Sequence, residues 1–466
     1  MAITPTYPGV YIEELPSPVH TIAGVATSIT AFVGYTGRGI DNRAERILSF
    51  SDYERQFGGI DTFSEVSYAV QQFFANGGAQ AYIVRVPHTG ALGATVTFAN
   101  LVFTALSSGA WANGDVLVDV DYDGVDQSAA TGEQSAFNLT ITNQDDGTTE
   151  FFPSVSLNFN KTSYVLAVVN DPDTGSQIAN VTLATPWGVT PTTTPPVRSG
   201  VTGAALVLDP ATKLLQAVNT AFGGSATATV ANDDYSLLLS TSQPATPPAP
   251  LPLPPIKIFA KNGPIPQTVA SLASRVEQTI NASLAVNWPG AAVRCAAVDG
   301  GGGNQAIRVV GFLPGHDDAE LSFGAPAGPL KDASGPLGLA ALTNVNVAHY
   351  TLGTGNNFGS QTASTAGTDG TGLPGTTQLV GDEISFTGIY ALRKVDLFNI
   401  LSIPDATRAA AGNPNALDPT VDPNAIYGAA ISLCRESRAM LLLDPPPFVR
   451  DVASAVDWKS TGLTVH

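Results

Sequence analysis

The stretch from Ser64 to Val86 reads SEVSYAVQQFFANGGAQAYIVRV, and it decides the fold class of this chain. Its first half predicts a helix from Ser64 to Asn76, because apolar residues recur at helical spacing at Val66, Ala69, Val70, Phe73 and Phe74. Two glycines end this helix, and the run from Ala81 to Val86 predicts a buried strand directly after it. A helix followed at once by a buried strand indicates an α/β layer.

The sequence before this stretch adds a strand and a second helix to the same layer. The run that ends at Ala31–Tyr35 is apolar and β-branched, which predicts another buried strand. A short helix is predicted from Ser51, with Ser51 as its N-cap and Glu54 in capping-box position. Gly58 follows at the end of this helix, where a left-handed residue is favoured.

The last hundred residues return to the same alternation of helices and strands. Helices are predicted near 383–395, over 424–437 and from Val449, and strands over 397–403 and 439–443. The predicted fold is an α/β core, a largely parallel or mixed sheet with helices on its faces, built from both chain ends.

The middle of the chain has a different composition, rich in Thr, Asn, Asp and Gly. Alternating runs predict strands over 116–122, 137–141 and 164–169. A helix over 268–284 and a hairpin of 293–298 with 306–310 predict a second module. Two proline-rich stretches, 190–197 and 243–255, are predicted to be stiff connectors or exposed loops.

These patterns predict a multidomain chain with four parts. They are an N-terminal extended arm (1–17), the discontinuous α/β core (18–89 plus 365–466), an inserted β-rich module (90–198) and a second inserted α+β module with Pro-rich connectors (199–364).

Composition and charge exclude several classes of protein. The 466 residues carry 21 Lys or Arg and 39 Asp or Glu, a net charge of −18, which repels nucleic acid and anionic lipid. Two cysteines, Cys295 and Cys434, make no disulfide framework, so we expect synthesis and assembly in a reducing cytoplasm. The start resembles no secretory signal, and no apolar run reaches membrane-spanning length, so no membrane insertion is expected.

The N-terminal arm contains one short strand without a local partner. Val10 to Leu15 can extend, but Pro8 and Pro16 prevent a hairpin with neighbouring sequence. Its hydrogen bonds must be made with a distant segment or with another chain. The candidate strand-donating residues are Tyr7, Pro8, Gly9, Val10, Tyr11, Ile12, Glu13, Glu14 and Leu15.

One motif suggests a metal site. Asp119, Asp121, Asp123 and Gly124 match the opening of a calcium-binding loop, but the twelfth position is Ala130 and not the required Glu. Apolar residues alternate with these aspartates, so a half-buried strand that ends in an Asp-Gly turn is the favoured interpretation. We therefore expect no metal and no cofactor, with calcium as the minor alternative.

No catalytic constellation is found. The chain has no phosphate-binding loop and no nucleophile elbow. Asp405 and Asp444 follow predicted core strands, where α/β enzymes hold active-site residues, but both are also good strand-ending turns. The cluster of His316, Asp317, Asp318 and Glu320 follows a Pro-Gly turn and is predicted to be a solvated turn. The prediction is that the protein is not an enzyme.

Several ordered motifs resemble the contractile tail sheath proteins of bacteriophages and phage-tail-like injection systems. The resemblance covers about residues 5–88 and 365–460 in the family's order. The motifs are YPGVYIEEL (7–15), AFVGYTG (31–37), FGG (57–59), the ANGG-containing stretch over 69–78, VRV (84–86), GTDG (367–370), TGIYAL (387–392), NILSIP (399–404) and LLDP (442–445).

The resemblance implies a structural subunit that polymerises helically around a tail tube and contracts with energy stored in its lattice. The implied partners are neighbouring subunits, the tube protein, and the baseplate and terminator proteins, in a virion tail or released injection particle. Sheath proteins continue beyond the point where this chain stops, so the core's C-terminal part is expected to be truncated. The alternative function is a carbohydrate-binding or adhesin module that uses Trp111 or Trp187.

Overall fold

A computed structural model describes residues 28–128, 132–186, 188, 193–224 and 230–464. The strands within them are β1 (Thr30–Gly34), β2 (Ala44–Ile47), β3 (Ala81–Arg85), β4 (Thr95–Phe98), β5 (Leu101–Ala105), β6 (Val116–Asp121), β7 (Ala136–Asn143), β8 (Thr149–Ser156), β9 (Ala179–Leu183), β10 (Val201–Gly203), β11 (Tyr235–Gln243), β12 (Ile256–Phe259), β13 (Ala292–Gly301), β14 (Asn304–Phe312), β15 (Glu320–Gly324), β16 (Lys331–Asp332), β17 (Leu342–Asn344), β18 (Tyr350–Thr351), β19 (Ala363–Thr365), β20 (Ile400–Ser402), β21 (Ala409–Ala410), β22 (Asn413–Leu417) and β23 (Met440–Leu441).

Helices are fewer than strands in the same residues. The α-helices are α1 (Phe50–Phe57), α2 (Glu65–Ala75), α3 (Val165–Val169), α4 (Gln216–Ala221), α5 (Val269–Asn287), α6 (Thr376–Val380), α7 (Pro423–Ser437) and α8 (Val452–Asp457). Short 3-10 helices span Ala110–Ala112, Gly388–Lys394 and Pro404–Thr407, and a π-helical turn spans Trp458–Gly462.

A five-stranded sheet combines strands from early and late parts of the chain, in the order β2-β3-β1-β20-β23. The strand β1 runs parallel to both β3 and β20, β20 runs parallel to β23, and only β2 is antiparallel. Ala31 and Val33 face one hydrophobic cluster together with α7, whereas Phe32 between them faces another with α1 and α2. Helices thus cover both faces, as the apolar runs of the sequence predict.

The two helices that follow β2 are stabilised by serine caps. Ser64 accepts a hydrogen bond from the Ser67 amide and begins α2, which confirms the predicted helix. The predicted start of α1 at Ser51 is wrong by two residues. Ser49 is the N-cap and accepts from the Asp52 amide at 3.1 Å, while the Asp52 carboxylate accepts the Leu48 amide. Capping of α1 therefore uses Ser49 and Asp52, with Asp52 bonded to the residue before the N-cap, and does not involve Glu54.

The residues between the two parts of the core form mostly antiparallel sheets. The hairpin predicted for 293–298 with 306–310 is confirmed: β13 and β14 pair and the chain turns at 301–304. The strands β18 and β19 pair with β6 and β4, so residues after 350 join sheets that begin in the first inserted stretch. The pairing of β6, β7 and β8 agrees with the predicted β-rich composition. The division into two inserted modules remains a prediction.

Two local predictions are wrong, and a third needs an addition. Residues 165–169 form the short helix α3 and not a strand, because this run is apolar throughout and burying Val165 with Val169 suits helical spacing. The helix predicted over 383–395 is a 3-10 helix that begins only at Gly388. An α-helix cannot run through this residue, because its φ is 58° and its backbone lies close to the Leu379 carbonyl. The 243–255 stretch is a loop after Gln243, as predicted, although Leu251 and Leu253 within it are buried in the second inserted stretch.

Candidate functional site

The strand β23 forms one end of the five-stranded sheet. The Met440 amide donates to the Asn399 carbonyl at 2.8 Å, and the Leu442 amide donates to the Leu401 carbonyl at 2.9 Å. Because successive amides of a strand point in opposite directions, the amides of Leu441 and Leu443 face away from the sheet. Within the described residues no strand pairs with this outer side. Among the described residues, the outer side of β23 is therefore an edge to which another strand can add.

Prolines limit the length of this edge. Asp444 follows the strand, and Pro445, Pro446 and Pro447 come next, so the chain lacks three consecutive backbone donors. The hydroxyl of Tyr427 donates to the Asp444 carbonyl at 3.1 Å and lies 3.2 Å from its amide nitrogen. Tyr427 is itself buried in α7, which fixes the end of the strand against the core.

An outer apolar surface lies along the chain that contains this edge. It consists of side chains that are between 38% and 81% exposed, namely Met440, Leu442, Leu443, Phe448, Val452 and Val456. Val452 and Val456 are one turn apart on α8, and α8 has no buried residue. A group of exposed apolar side chains beside an open strand edge is typical of a protein–protein contact.

Asp405 and Asp444 occupy different environments at the ends of neighbouring strands. Asp405 is fully buried after β20, where its Oδ2 accepts the Tyr35 amide at 2.6 Å. Burial raises the pKa of Asp405 to about 7. Burial also raises the pKa of Asp444. Neither carboxyl is placed beside a histidine or a nucleophile by any hydrogen bond of the described residues, so this sheet edge has no acid–base pair.

A buried ion pair joins the core to the first inserted stretch. Arg85, at the end of β3, pairs with Asp41 and also donates to the Thr36 carbonyl at 3.2 Å. Its guanidinium reaches the hydroxyls of Ser107 and Ser108, and the Ser108 amide donates to Asp41 at 2.9 Å. One buried arginine therefore links three segments, and its removal would leave the Ser108 amide as the partner of the half-buried Asp41 carboxylate.

A cleft of about 470 Å³ lies beside this joint, between the core and the strands of the first inserted stretch. Both arginines and carboxylates line it, the arginines from the core and the carboxylates from both parts. Arg43 donates to Glu45 of the core and to Gln177 of the first inserted stretch. Some of the charged side chains in the cleft already have partners within the protein, as expected where two parts of one chain meet.

A second buried joint connects the two inserted stretches. Arg308 on β14 donates to the Ser199 carbonyl at 2.9 Å and to the Val120 carbonyl at 3.1 Å. Nδ1 of His349 donates to both carboxylate oxygens of Asp119, at 2.7 and 2.8 Å. Burial alone would lower the pKa of His349, but the neighbouring Asp119 carboxylate raises it above its usual value.

The three aspartates of the candidate calcium motif take separate partners. Asp119 binds His349, whereas Asp121 accepts from Asn138 at 2.7 Å and from the Asp123 amide at 2.9 Å. Asp123 lies exposed in the turn. In the described part of the chain, no group of three or more His, Cys, Asp or Glu residues could hold a metal ion.

The remaining predicted site residues have mixed outcomes. The strand-donating residues 7–15, like Trp187, lie outside the described residues. The Trp111 ring nitrogen donates to the Ser107 carbonyl at 2.9 Å, and the ring packs against the first inserted core. The solvated turn predicted at 316–320 is wrong. Asp317, Asp318 and Glu320 are buried, because Asp317 accepts the Leu313 amide at 2.8 Å and Glu320 binds Ser242.

Arg85, Asp41 and His349 were missed by the sequence interpretation. Arg85 did carry a signal, because a charged residue between Val84 and Val86 in an apolar strand must be buried with a partner. Asp41 and His349 carried none, since their partners are 44 and 230 residues away. None of the helices described is both long and apolar enough to cross a membrane.

No protein-family profile matches the chain, and no curated protein matches it in sequence. Among solved structures, a sheath tail protein from Listeria innocua is similar, with 12% identity, a TM-score of 0.21, and 37% of this chain and 33% of that chain covered. A sheath tail protein from Desulfitobacterium hafniense is similar too, with 13% identity, a TM-score of 0.20 and 40% and 37% covered. The chain thus spans about a third of the length of these two solved structures. These neighbours are sheath tail proteins, the family that the sequence motifs resemble.

Proposed function

We propose that this chain is a structural subunit of a contractile tail sheath. The single observation that carries the proposal is the open outer side of β23, with its amides directed away from the sheet and exposed apolar side chains beside it. A subunit of a connected polymer needs such an edge, because main-chain hydrogen bonds can link copies without a large contact area. The ordered sequence motifs support the same conclusion.

The strand that adds to this edge is proposed to be the arm at residues 7–15 of a neighbouring copy. Prolines at 8 and 16 separate the arm's short alternating strand from local partners. The outward amides of Leu441 and Leu443 would donate to carbonyls of the arm. The arm's apolar residues Val10 and Ile12, which share one face of an extended strand, would cover part of the outer apolar surface.

The buried joints support movement of the subunit as a rigid unit. Arg85 with Asp41 holds the first inserted stretch on the core, and His349 with Asp119 holds the two inserted stretches together. A sheath that shortens needs stiff subunits joined by flexible connections, so that the lattice has two discrete packings. Contraction in this proposal uses energy stored during assembly and needs neither nucleotide nor metal.

The proposed partners are other copies of this chain, a tail tube protein, and the baseplate and terminator proteins at the tube ends. Assembly is proposed in the bacterial cytoplasm, with the product in a virion tail or a released injection particle. The net charge of −18 disfavours nucleic acid as a partner. The protein is proposed to have no enzymatic activity.

Negative-stain electron microscopy of the chain expressed with a tail tube protein tests the function. The proposal predicts helical tubes that enclose the inner tube and that exist in a long and a short form. Tubes should be absent when residues 1–16 are deleted. Discrete monomers that bind glycans, with no polymer at any concentration, would support the adhesin alternative.

A further inference from the structure

A fully buried carboxyl connects early and late parts of the core. Asp405 follows the parallel strand β20, and its Oδ2 accepts the amide of Tyr35, directly after β1, at 2.6 Å. The other oxygen, Oδ1, has no hydrogen-bond partner among the described residues. An ionised carboxylate accepts several hydrogen bonds when it is stable in a protein interior, and this one accepts a single direct bond.

The space around Asp405 is closed by its neighbours. A Cβ atom on Gly34 would lie 2.2 Å from Oδ2, so the backbone of β1 approaches the carboxyl as closely as only glycine permits. Ser64, the N-cap of α2, donates its hydroxyl to the Tyr35 carbonyl at 2.5 Å. The hydroxyl of Tyr53 on α1 is buried near this site and has no partner within the described residues.

The charges that face Asp405 do not neutralise it. Arg408 is the cation that favours ionised Asp405, but its guanidinium donates its hydrogen bonds elsewhere, to Asp418, the Pro374 carbonyl and the Thr420 hydroxyl. Glu65 of α2 repels a negative charge at Asp405. Burial raises the pKa of Asp405 to about 7, against the opposing effects of the Tyr35 amide and of Arg408.

Two further titratable groups, on the neighbouring β1 and α1 segments, act at this site. Burial raises the pKa of the Tyr35 hydroxyl, and Asp61 and Asp405 raise it further. Burial also raises the pKa of Tyr53. Both phenols are therefore neutral when Asp405 titrates, so the carboxyl is the group in this cluster that changes charge near neutral pH.

We propose that Asp405 is a proton-dependent contact that holds the ends of β1 and β20 together. When the carboxyl is protonated, it is neutral and stays buried while Oδ2 accepts the Tyr35 amide. When it loses its proton, the charge is buried without a counterion, so the contact opens or admits water. The opening separates the turn after β1 from the 3-10 helix after β20 and loosens one end of the sheet.

The direction of the pH effect follows from the raised pKa. A carboxyl whose pKa is raised by folding stabilises the folded state fully when the pH is below the pKa of the unfolded chain, which for Asp is about 4. That stabilisation is lost as the pH rises to the folded value of about 7. The contact is therefore tight in mild acid and weak above neutrality.

Hydrogen exchange of the segment 28–36 measures the opening directly. After correction for intrinsic exchange, opening in the wild type should rise by up to about tenfold per pH unit between about pH 4 and pH 7, relative to Asp405→Asn. The asparagine keeps an acceptor for the Tyr35 amide and cannot ionise. The control Asp123→Asn, in an exposed turn, should behave as the wild type. Equal pH dependence in wild type and Asp405→Asn would overturn the proposal.

Infrared spectroscopy supplies a second test that needs no folded variant. The folded wild type should retain a protonated carboxyl C=O band at about pH 5 to 6, where ordinary aspartates are ionised, and lose it near pH 7. If Asp405→Asn folds, its spectrum should lose the part of this band that disappears near pH 7, whereas other buried carboxyls with a raised pKa, such as Asp317 and Asp444, should keep their contribution. Loss of every carboxyl band below about pH 5 in the wild type would contradict the proposal even if Asp405→Asn does not fold.

Discussion

His349 and Asp119 form a buried ion pair across the joint between the two inserted stretches, with Nδ1 of the imidazole 2.7 and 2.8 Å from the two carboxylate oxygens. The two residues are 230 positions apart in the chain. His349 is 1% exposed, so neither water nor salt can replace its partner. The pair therefore couples the position of β6 to that of the chain beside β18.

Replacing Asp119 by alanine is predicted to destabilise this joint by about 1–3 kcal/mol, because Nδ1 of the buried imidazole then lacks its acceptor. Urea denaturation monitored by circular dichroism should show an earlier transition for the inserted part. Asp123→Ala, in the exposed turn after the same strand, is the matched control and should leave that transition unchanged. Equal effects of the two substitutions would mean that the ion pair does not hold the joint.

Removing Arg85 is predicted to loosen the first inserted stretch from the core. Arg85→Met keeps much of the apolar volume but removes the buried guanidinium that bonds Asp41, the Thr36 carbonyl and the two serines, which should cost about 1–3 kcal/mol. Limited proteolysis should then cut the connection around residues 86–94 sooner than in the wild type. Arg55→Met, on a side chain that is 71% exposed, should not change the cleavage rate. Unchanged cleavage in Arg85→Met would refute the role of this joint.

The two sides of β23 allow a sharp test of strand addition. Leu441→Pro removes an amide that faces away from the sheet, so the folded monomer should survive while polymer formation weakens. Leu442→Pro removes the amide bonded to Leu401 and should instead destabilise the monomer. Sedimentation velocity and thermal melts separate these outcomes. Normal polymers from Leu441→Pro would show that the outer amides of β23 are not used.

The outer apolar surface is predicted to matter for association and not for folding. The double substitution Val452→Asp and Val456→Asp places two charges on the exposed face of α8, where no side chain is buried. Thermal stability of the monomer should stay the same, whereas association should weaken at any given concentration, as light scattering would reveal. A lower melting temperature would show that α8 packs against its own subunit.

Much of the core could be predicted from sequence, for a physical reason visible in α2 and β3. Apolar spacing marks the buried face of α2, Ser64 caps it, and the run after it is long enough for one buried strand. The edge strand β2 was missed, because its sequence AERI has two charged residues and pairs on one side only. The segment 44–47 is a strand because it pairs with β3, and the local sequence pattern carries no information about that pairing.

The candidate site was less predictable than the fold. The chain from Met440 to Leu443 reads as one more apolar strand, and only the strand order makes β23 an edge. The sequence around Asp405 predicts a strand-ending turn, and the structure confirms it. The burial of Asp405, however, depends on its contact with Tyr35, which lies 370 residues earlier in the chain. Both features depend on contacts between segments that are distant in sequence, and a single sequence does not show which distant segments are in contact.

Electron cryomicroscopy of the assembled chain tests the central claim most directly. The account predicts helical tubes in which residues 10–15 of one copy form an added strand beside β23 of another copy, and it predicts that deletion of residues 1–16 leaves only folded monomers. Tubes in which β23 stays unpaired, or equally long tubes from the deletion variant, would contradict strand addition as the link between subunits.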